Sequence, residues 1–355
     1  TLFRSRGELL SGGAALAVIC WGTTDAGTSG TGAWPNRVTI GAVYSGQAFS
    51  TNISGLSQST TYHYRVYAVN AAGEDWSEAA SFTTPGPANV ITGTSGGNDS
   101  WNTGANWTYG HAPTGTEAAV VQAGVTAKVN NAATVVYSGG LTLGINATLQ
   151  VGSGIATGNS NALGSGAIVM NSGSVIISSY GLGTYTFTQP FVLAGNATIW
   201  GAISNVNNNT TKTFTGGISG SGRLTYTGAN NSTCVISTRN PSWTGGFQSA
   251  DPENEKHQVK AAANGAFGTG DVKINQNCSL QIQAGLGDAI GNSAALHLTG
   301  ASSPTFSAKL VLNQLWIDGI QQPAGDYNSS ETWLNGSGIL TVLRGPAVPT
   351  LILFR

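Results

Sequence analysis

The densest group of ionisable side chains in this 355-residue chain is the run ADPENEKHQVK, residues 250–260, with Asp251, Glu253, Glu255, Lys256 and His257. Its carboxylates and imidazole are the donors that a divalent metal ion or an acid–base pair requires. A converging site normally draws on several elements, and one contiguous loop rarely turns all its side chains to one point. The run therefore reads as a solvated loop with its charges facing water. Hydrolysis or elimination at a glycosidic bond needs paired carboxylates, or an acid with a cation on a neighbouring strand. Between Ile91 and Ala250 the charged residues are Asp99, Glu117, Lys128, Lys212, Arg223 and Arg239, of which two are acidic. His63, His111 and His297 stand apart in the sequence and read as ordinary surface or half-buried residues. No Ser-His-Asp or Cys-His arrangement is legible. No glycine-rich phosphate loop follows a strand, and no calcium-binding G-G-x-G-x-D repeat occurs. The chain is accordingly expected to be no enzyme, with no catalytic residue, no metal site and no cofactor.

The composition narrows the class further. Glycine occurs 51 times, charged residues make up 8%, and hydrophobic residues 40%. A disordered chain would combine low hydrophobicity with high charge. Helix formers are scarce, whereas Val, Ile, Thr and aromatics fill short runs between Gly and Asn, the texture of an all-β protein rich in turns. The net charge is −1 with no basic stripe, so nucleic acid is not an expected partner. No apolar run approaches the length of a membrane span. The chain does not begin with Met and shows no signal peptide, which suggests a mature or excised part of something longer. Cys20 lies in the apolar run LAVICWG and reads as a small buried hydrophobe, while a Cys234–Cys278 bridge stays open. Asn106, Asn146, Asn196 and Asn335 each open a glycosylation sequon, relevant only if the source glycosylates its secreted proteins. Trp200, Trp243 and Tyr226 read as core packing, with a platform for sugar rings as the alternative.

Which elements would carry these residues? Over residues 1–85, short runs such as LAVICW, RVTIGAV, TTYHYRVYAVN and SEAASFTT alternate with turn signals, as in a β-sandwich. In LSQSTTYHYRVYAVNAAG (residues 56–73), Tyr62, Tyr64, Val66 and Ala68 alternate with His63, Arg65 and Tyr67, so one face is buried. Leu56, Thr60, Tyr62, Val66, Ala68, Asn70 and Gly73 fit the spacing of fibronectin type III domains, and residues 1–85 resemble that family. The resemblance implies a tyrosine corner at Tyr62, its hydroxyl bonded back to the preceding loop. The variant with WGTTDAG and GEDWSEAASFTT also resembles domains in large surface proteins of planctomycete- and verrucomicrobia-like bacteria.

After a linker at 86–99, the texture becomes runs of four to six residues between Gly, Asn and Ser turns. NALGSGAIVMNSGSVIIS (161–178) returns as NGAFGTGDVKINQNCSLQIQ (264–283). Leu163 matches Phe267, Gly164 matches Gly268, and Ile168 and Met170 match Val272 and Ile274. A strand–turn–strand unit cannot bury its apolar face alone, but stacked units form a parallel β-helix with a continuous aliphatic interior. The pattern resembles the passenger-associated repeats of bacterial autotransporters, which implies a right-handed helix over 100–344. SWNTGANWTYGHAPTGTEAAVV (100–121) resembles the opening segment of such helices, with Trp101 and Trp107 capping the first rung. LWIDGIQQPAGDYNSSETWLNGSGILTVL (315–343) resembles the closing one, with Ile317, Gly319, Gly325, Tyr327, Trp333 and Gly338 at its expected places.

The chain opens on TLFRSRGELL, which corresponds to the second strand of a fibronectin-type sandwich. A candidate for the first strand, PAVPTLILFR, lies in the C-terminal segment 345–355. A sandwich short of one strand has an unpaired edge that recruits a strand from elsewhere. The expected donor residues are Val348, Leu351, Ile352, Leu353 and Phe354, and the expected acceptor residues are Leu2, Leu9, Val18, Trp21, Tyr62 and Phe82. Such head-to-tail contact does not close and builds a filament, of separate chains or of one tandem-repeat chain. The expectation is a structural subunit of an extracellular, cell-surface fibre or layer whose partners are copies of itself. A monomeric adhesin binding surface glycans is the alternative, and a β-helix polysaccharide lyase or hydrolase the third reading.

Overall fold

Strands of two to ten residues separated by tight turns make up nearly all of the regular structure. The structure, a computed structural model, describes residues 2–5, 13–44, 49–84, 86–95, 100–129, 137–151, 163–178, 185–201, 210–228, 231–250, 256–300, 302, 304–306 and 308–346. Among the described residues the chain is all-β, with helix confined to single 3₁₀ turns such as Thr31–Ala33 and Gly104–Asn106. It divides into two compact units, Thr1–Pro87 and Ala88–Arg355.

In the first unit, β1 (Leu2–Ser5) pairs antiparallel with β4 (Phe49–Asn52). A second, five-stranded antiparallel sheet has β2 (Ala15–Gly22) at its centre, between β3 (Asn36–Val43) and β5 (Thr61–Asn70). The far edge of β5 carries β6 (Gly73–Trp76) and then β7 (Ala80–Thr83). Period-two alternation sorts the side chains of β2 between two faces. Ile19 and Trp21 join Val38, Ile40, Tyr64, Val66 and Phe82, and Phe49 of β4 packs on the same cluster. Val18 and Cys20 point the other way, against Trp34, Ala26, Tyr67 and Trp76.

The second unit is a parallel β-solenoid. Its first strand, β8 (Ala88–Ile91), falls inside the segment expected as a linker and pairs in parallel with Ala118–Val121. Among the described residues, a six-stranded sheet, a ten-stranded sheet and a five-stranded sheet wind around one interior. Successive rungs pair in register, as in Leu141↔Ile168↔Phe191↔Ile218 and Leu149↔Ile176↔Ile199↔Tyr226. Strands around the interior are only three to five residues long because each turns a corner after one to three inward side chains. The interior is a column of aliphatic and aromatic residues, including Phe187 stacked on Phe214 with ring centres 4.8 Å apart.

The internal repeat recurs in conformation but not in place. Leu163 and Phe267 are both buried, and Gly164 and Gly268 both take left-handed backbone, φ 62° and 67°. Yet Ile168–Met170 belongs to the six-stranded sheet and Val272–Ile274 to the ten-stranded one. The motif specifies a strand, a corner and a second strand, and the coil has several corners where that geometry fits.

Both ends of the solenoid are covered by their own chain. At the start, the Trp101 amide donates to the carbonyl of Lys128 and the Lys128 amide to Ser100 Oγ, both at 2.9 Å, along the outermost strand of the ten-stranded sheet. Trp101 and Trp107 are buried edge to face, ring centres 4.8 Å apart, with Trp107 Nε1 donating to the Trp101 carbonyl at 2.6 Å. At the finish, Gln314–Ile317 folds back antiparallel on Ile320–Gln321 through an Asp318-Gly319 turn in which both residues have positive φ, 49° and 79°. That is the two-residue turn whose twist suits a hairpin. Gly325–Tyr327 then pairs antiparallel with Leu340–Val342, and Tyr327 lies against Trp333 at 5.8 Å.

Candidate assembly edge and polar groups of the solenoid

Of the expected acceptor residues, Trp21 and Phe82 share the cluster between β4 and the five-stranded sheet. Tyr62 is buried and stacks on Phe82 at 5.8 Å. Its hydroxyl accepts the Ser57 amide at 3.0 Å, five residues upstream, the bond expected of a corner tyrosine. Val18 does not belong with them. It sits on the opposite face of β2, because an even position cannot share the inward face of Ile19 and Trp21. Leu2 pairs through its backbone with Asn52 of β4. Leu9 and the donor residues Val348, Leu351, Ile352, Leu353 and Phe354 lie outside the described residues. Among the described residues β1 pairs with β4 alone, so one edge of β1 carries no described partner.

The charged run at 250–260 behaves differently from a wholly solvated loop. Asp251, Glu253 and Glu255 lie outside the described residues, and Lys256 is exposed. His257 is 3% exposed and opens the strand His257–Ala261, in which His257, Val259 and Ala261 all face inward. It stands in register with Ser232 of the preceding rung. The Cys278 Sγ lies 3.5 Å from its Nδ1 and 3.4 Å from its Nε2, and Tyr226 meets its ring edge to face at 5.5 Å. The alternation His-Gln-Val-Lys-Ala was the available signal, since its inward positions continue the apolar column.

Lys212 is inside as well. It occupies an inward position of Thr211–Phe214, is 0% exposed, and lies in register between Tyr185 and Cys234. Burial disfavours the ammonium and brings its pKa down to about 8. All three cysteines are buried thiols. Desolvation pushes the Cys234 thiol and the Tyr226 phenol well above their ordinary ranges, so both stay protonated.

On the outer face of the ten-stranded sheet, Gln248, Lys273, His297 and Trp316 follow one another in register. His297 stacks on Trp316 with ring centres 5.8 Å apart, and its Nε2 lies 3.7 Å from an Asp271 oxygen. Partial burial lowers the His297 pKa against the opposing pull of Asp271. The Trp316 backbone pairs with His297 and Gln321, and its Nε1 donates to Gln314 Oε1 at 3.3 Å. Trp243 and Tyr226 are fully buried, while Trp200 lies half-buried on the outer side of its strand. Asn106 is buried with its side-chain amide donating to the carbonyls of Ser95 and Ser100, which closes that sequon, whereas Asn146, Asn196 and Asn335 are exposed.

Among the described residues no three His, Cys, Asp or Glu side chains converge as metal ligands, and no helix is long and apolar enough to cross a membrane. Comparison with protein-family models, curated proteins and solved structures finds no match to this chain.

Proposed function

We propose that the chain is a structural subunit of an extracellular, cell-surface fibre or layer, a fibronectin type III-like sandwich followed by a right-handed β-helix rod. In this reading copies join head to tail. Residues 345–355 of one copy add a strand to the open edge of β1 in the next, and the chain does no chemistry of its own. The observation that carries the reading is that β1 pairs with β4 alone among the described residues, because a sheet edge left for a further strand is the template that strand addition uses. Two further features support it. The cluster of Ile19, Trp21, Phe49, Val66 and Phe82, which joins β4 to the five-stranded sheet, would supply an apolar bed for alternate donor side chains. The solenoid ends are capped, which disfavours growth by rung-on-rung stacking and puts assembly onto the other unit. Electron microscopy of the full chain beside a variant lacking residues 347–355 tests the proposal. Filaments with a regular axial repeat, lost with the tail, are expected; short single rods in both samples would sink it.

A glycan-binding adhesin is the second reading, favoured only by the outward position of Trp200. A glycan array compared between the native chain and Trp200→Ala decides it.

A further inference from the structure

We infer that the outer face of the ten-stranded sheet holds a binding site for a polyuronate, an acidic polysaccharide laid along the solenoid axis over Arg223, Gln248, Lys273, His297 and Trp316. The site goes beyond the fibre reading and rests on neither head-to-tail assembly nor Trp200.

Register builds the site. Gln248, Lys273, His297 and Trp316 stand at matching outward positions of four successive strands, so they form one column. Arg223 lies just ahead of Leu224–Thr227, the strand before, and its amide donates to Asn196 Oδ1 at 2.9 Å. Its guanidinium donates to Gln248 Oε1 at 3.5 Å and so reaches along the axis to the column.

The charge of this column is positive. Neither Arg223 nor Lys273 forms an ion pair among the described residues. The neighbouring carboxylate, Asp271, is engaged by the next rung. Its Oδ1 accepts the Ala295 amide at 2.9 Å, and its Oδ2 lies 3.7 Å from His297 Nε2. Burial lowers the His297 pKa, and the positive charges of Lys273 and Arg223 lower it further, so both cations bear on the same stretch of the face. In a chain of net charge −1 with 8% charged residues, two such cations on one column are a local excess.

The spacing selects the ligand. Adjacent rungs are about 4.7–4.9 Å apart, which puts the backbones of Arg223 and Lys273, two rungs apart, about 10 Å from each other along the axis. One carboxylate does not span that separation, whereas the carboxylates of an extended polyuronate recur along its length, one on each ring. The Arg223 fork suits a carboxylate in bidentate pairing, and Lys273 takes the next as a point charge. Gln248, its Oε1 taken by Arg223, presents Nε2 as a donor between the two cations. At the end of the column the His297 and Trp316 rings lie parallel within 14°, 5.8 Å apart, and supply the apolar contact that the C–H face of a sugar ring requires. An acidic peptide fits less well, because an extended peptide draws its affinity from main-chain hydrogen bonds at a sheet edge, which a sheet face does not offer.

Calorimetric titration of the full chain with polygalacturonate tests the site, with a neutral galactan and dextran sulfate as comparison polymers. Polygalacturonate should bind at least tenfold more tightly than either, and more weakly as salt is raised. Arg223→Gln/Lys273→Gln should weaken that binding at least tenfold while circular dichroism and melting temperature stay unchanged. Lys128→Gln removes a lysine on the same sheet, four rungs ahead of Leu224–Thr227, and should leave the affinity within about twofold. No binding by the parent, equal affinity for galactan or dextran sulfate, or an equal loss in Lys128→Gln would each overturn the site. The titration needs no filament, so such a failure leaves strand donation intact, and the absence of filaments leaves the site intact.

Discussion

Lys212 stands directly opposite Cys234 on the next rung, and both side chains point into the solenoid interior. A buried amine with its pKa at about 8 makes stability depend on pH in a direction that can be worked out. In the unfolded chain a lysine titrates near 10.4. Below about pH 8 both states carry the proton, and the full penalty of burying the charge is present. Between about 8 and 10.4 the unfolded state binds more protons than the folded one, so stability rises with pH by about 3 kcal/mol across the window. Lys212→Met should unfold at a higher temperature than the parent at pH 7, and the gap should shrink steadily toward pH 10.5. Parallel pH curves for the two proteins would show that Lys212 is not the titrating group.

The Tyr62 hydroxyl and the Ser57 amide form a single local bond that a conservative change removes. Tyr62→Phe keeps the ring stacked on Phe82 but leaves the amide without its acceptor, a loss of about 1–2 kcal/mol. Calorimetry of the full chain should show one transition falling by several degrees while the other holds. A fall in both would mean that the two units do not unfold separately.

Trp101 covers the outermost strand of the ten-stranded sheet. Trp101→Ala should cost about 3–5 kcal/mol through lost burial and expose that strand's edge. Light scattering should then report concentration-dependent association absent from Tyr62→Phe. A monodisperse, cooperatively folded variant would show that the Trp107 side of the cap suffices.

Because Cys20, Cys234 and Cys278 are buried thiols, a thiol reagent should label none in the native chain and three after denaturation without reductant. One labelled thiol would reveal a Cys234–Cys278 bridge instead.

Much of this molecule is written locally. Short runs of Val, Ile and Thr between Gly and Asn leave no alternative to strands and tight corners, and repetition of a unit that cannot bury itself requires stacking. The capping pair Trp101 and Trp107, and the bond of Tyr62 to its preceding loop, were legible because each depends on residues close in the chain. Other features depend on partners far away. Period two divides β2 into Val18 and Cys20 against Ile19 and Trp21, but both sets are apolar, so only the sheet's neighbours decide which set faces Phe49. The charged run around His257 made it look solvated, and Lys212 carried no reading of its own. Register with Cys234 and Ser232 on adjacent rungs carried them inside. The repeated motif of Leu163 and Phe267 determines a corner by itself, yet the face it occupies depends on how many residues the preceding rungs have consumed. Local chemistry thus chose the elements of this protein, and the stacking of distant rungs chose their orientation.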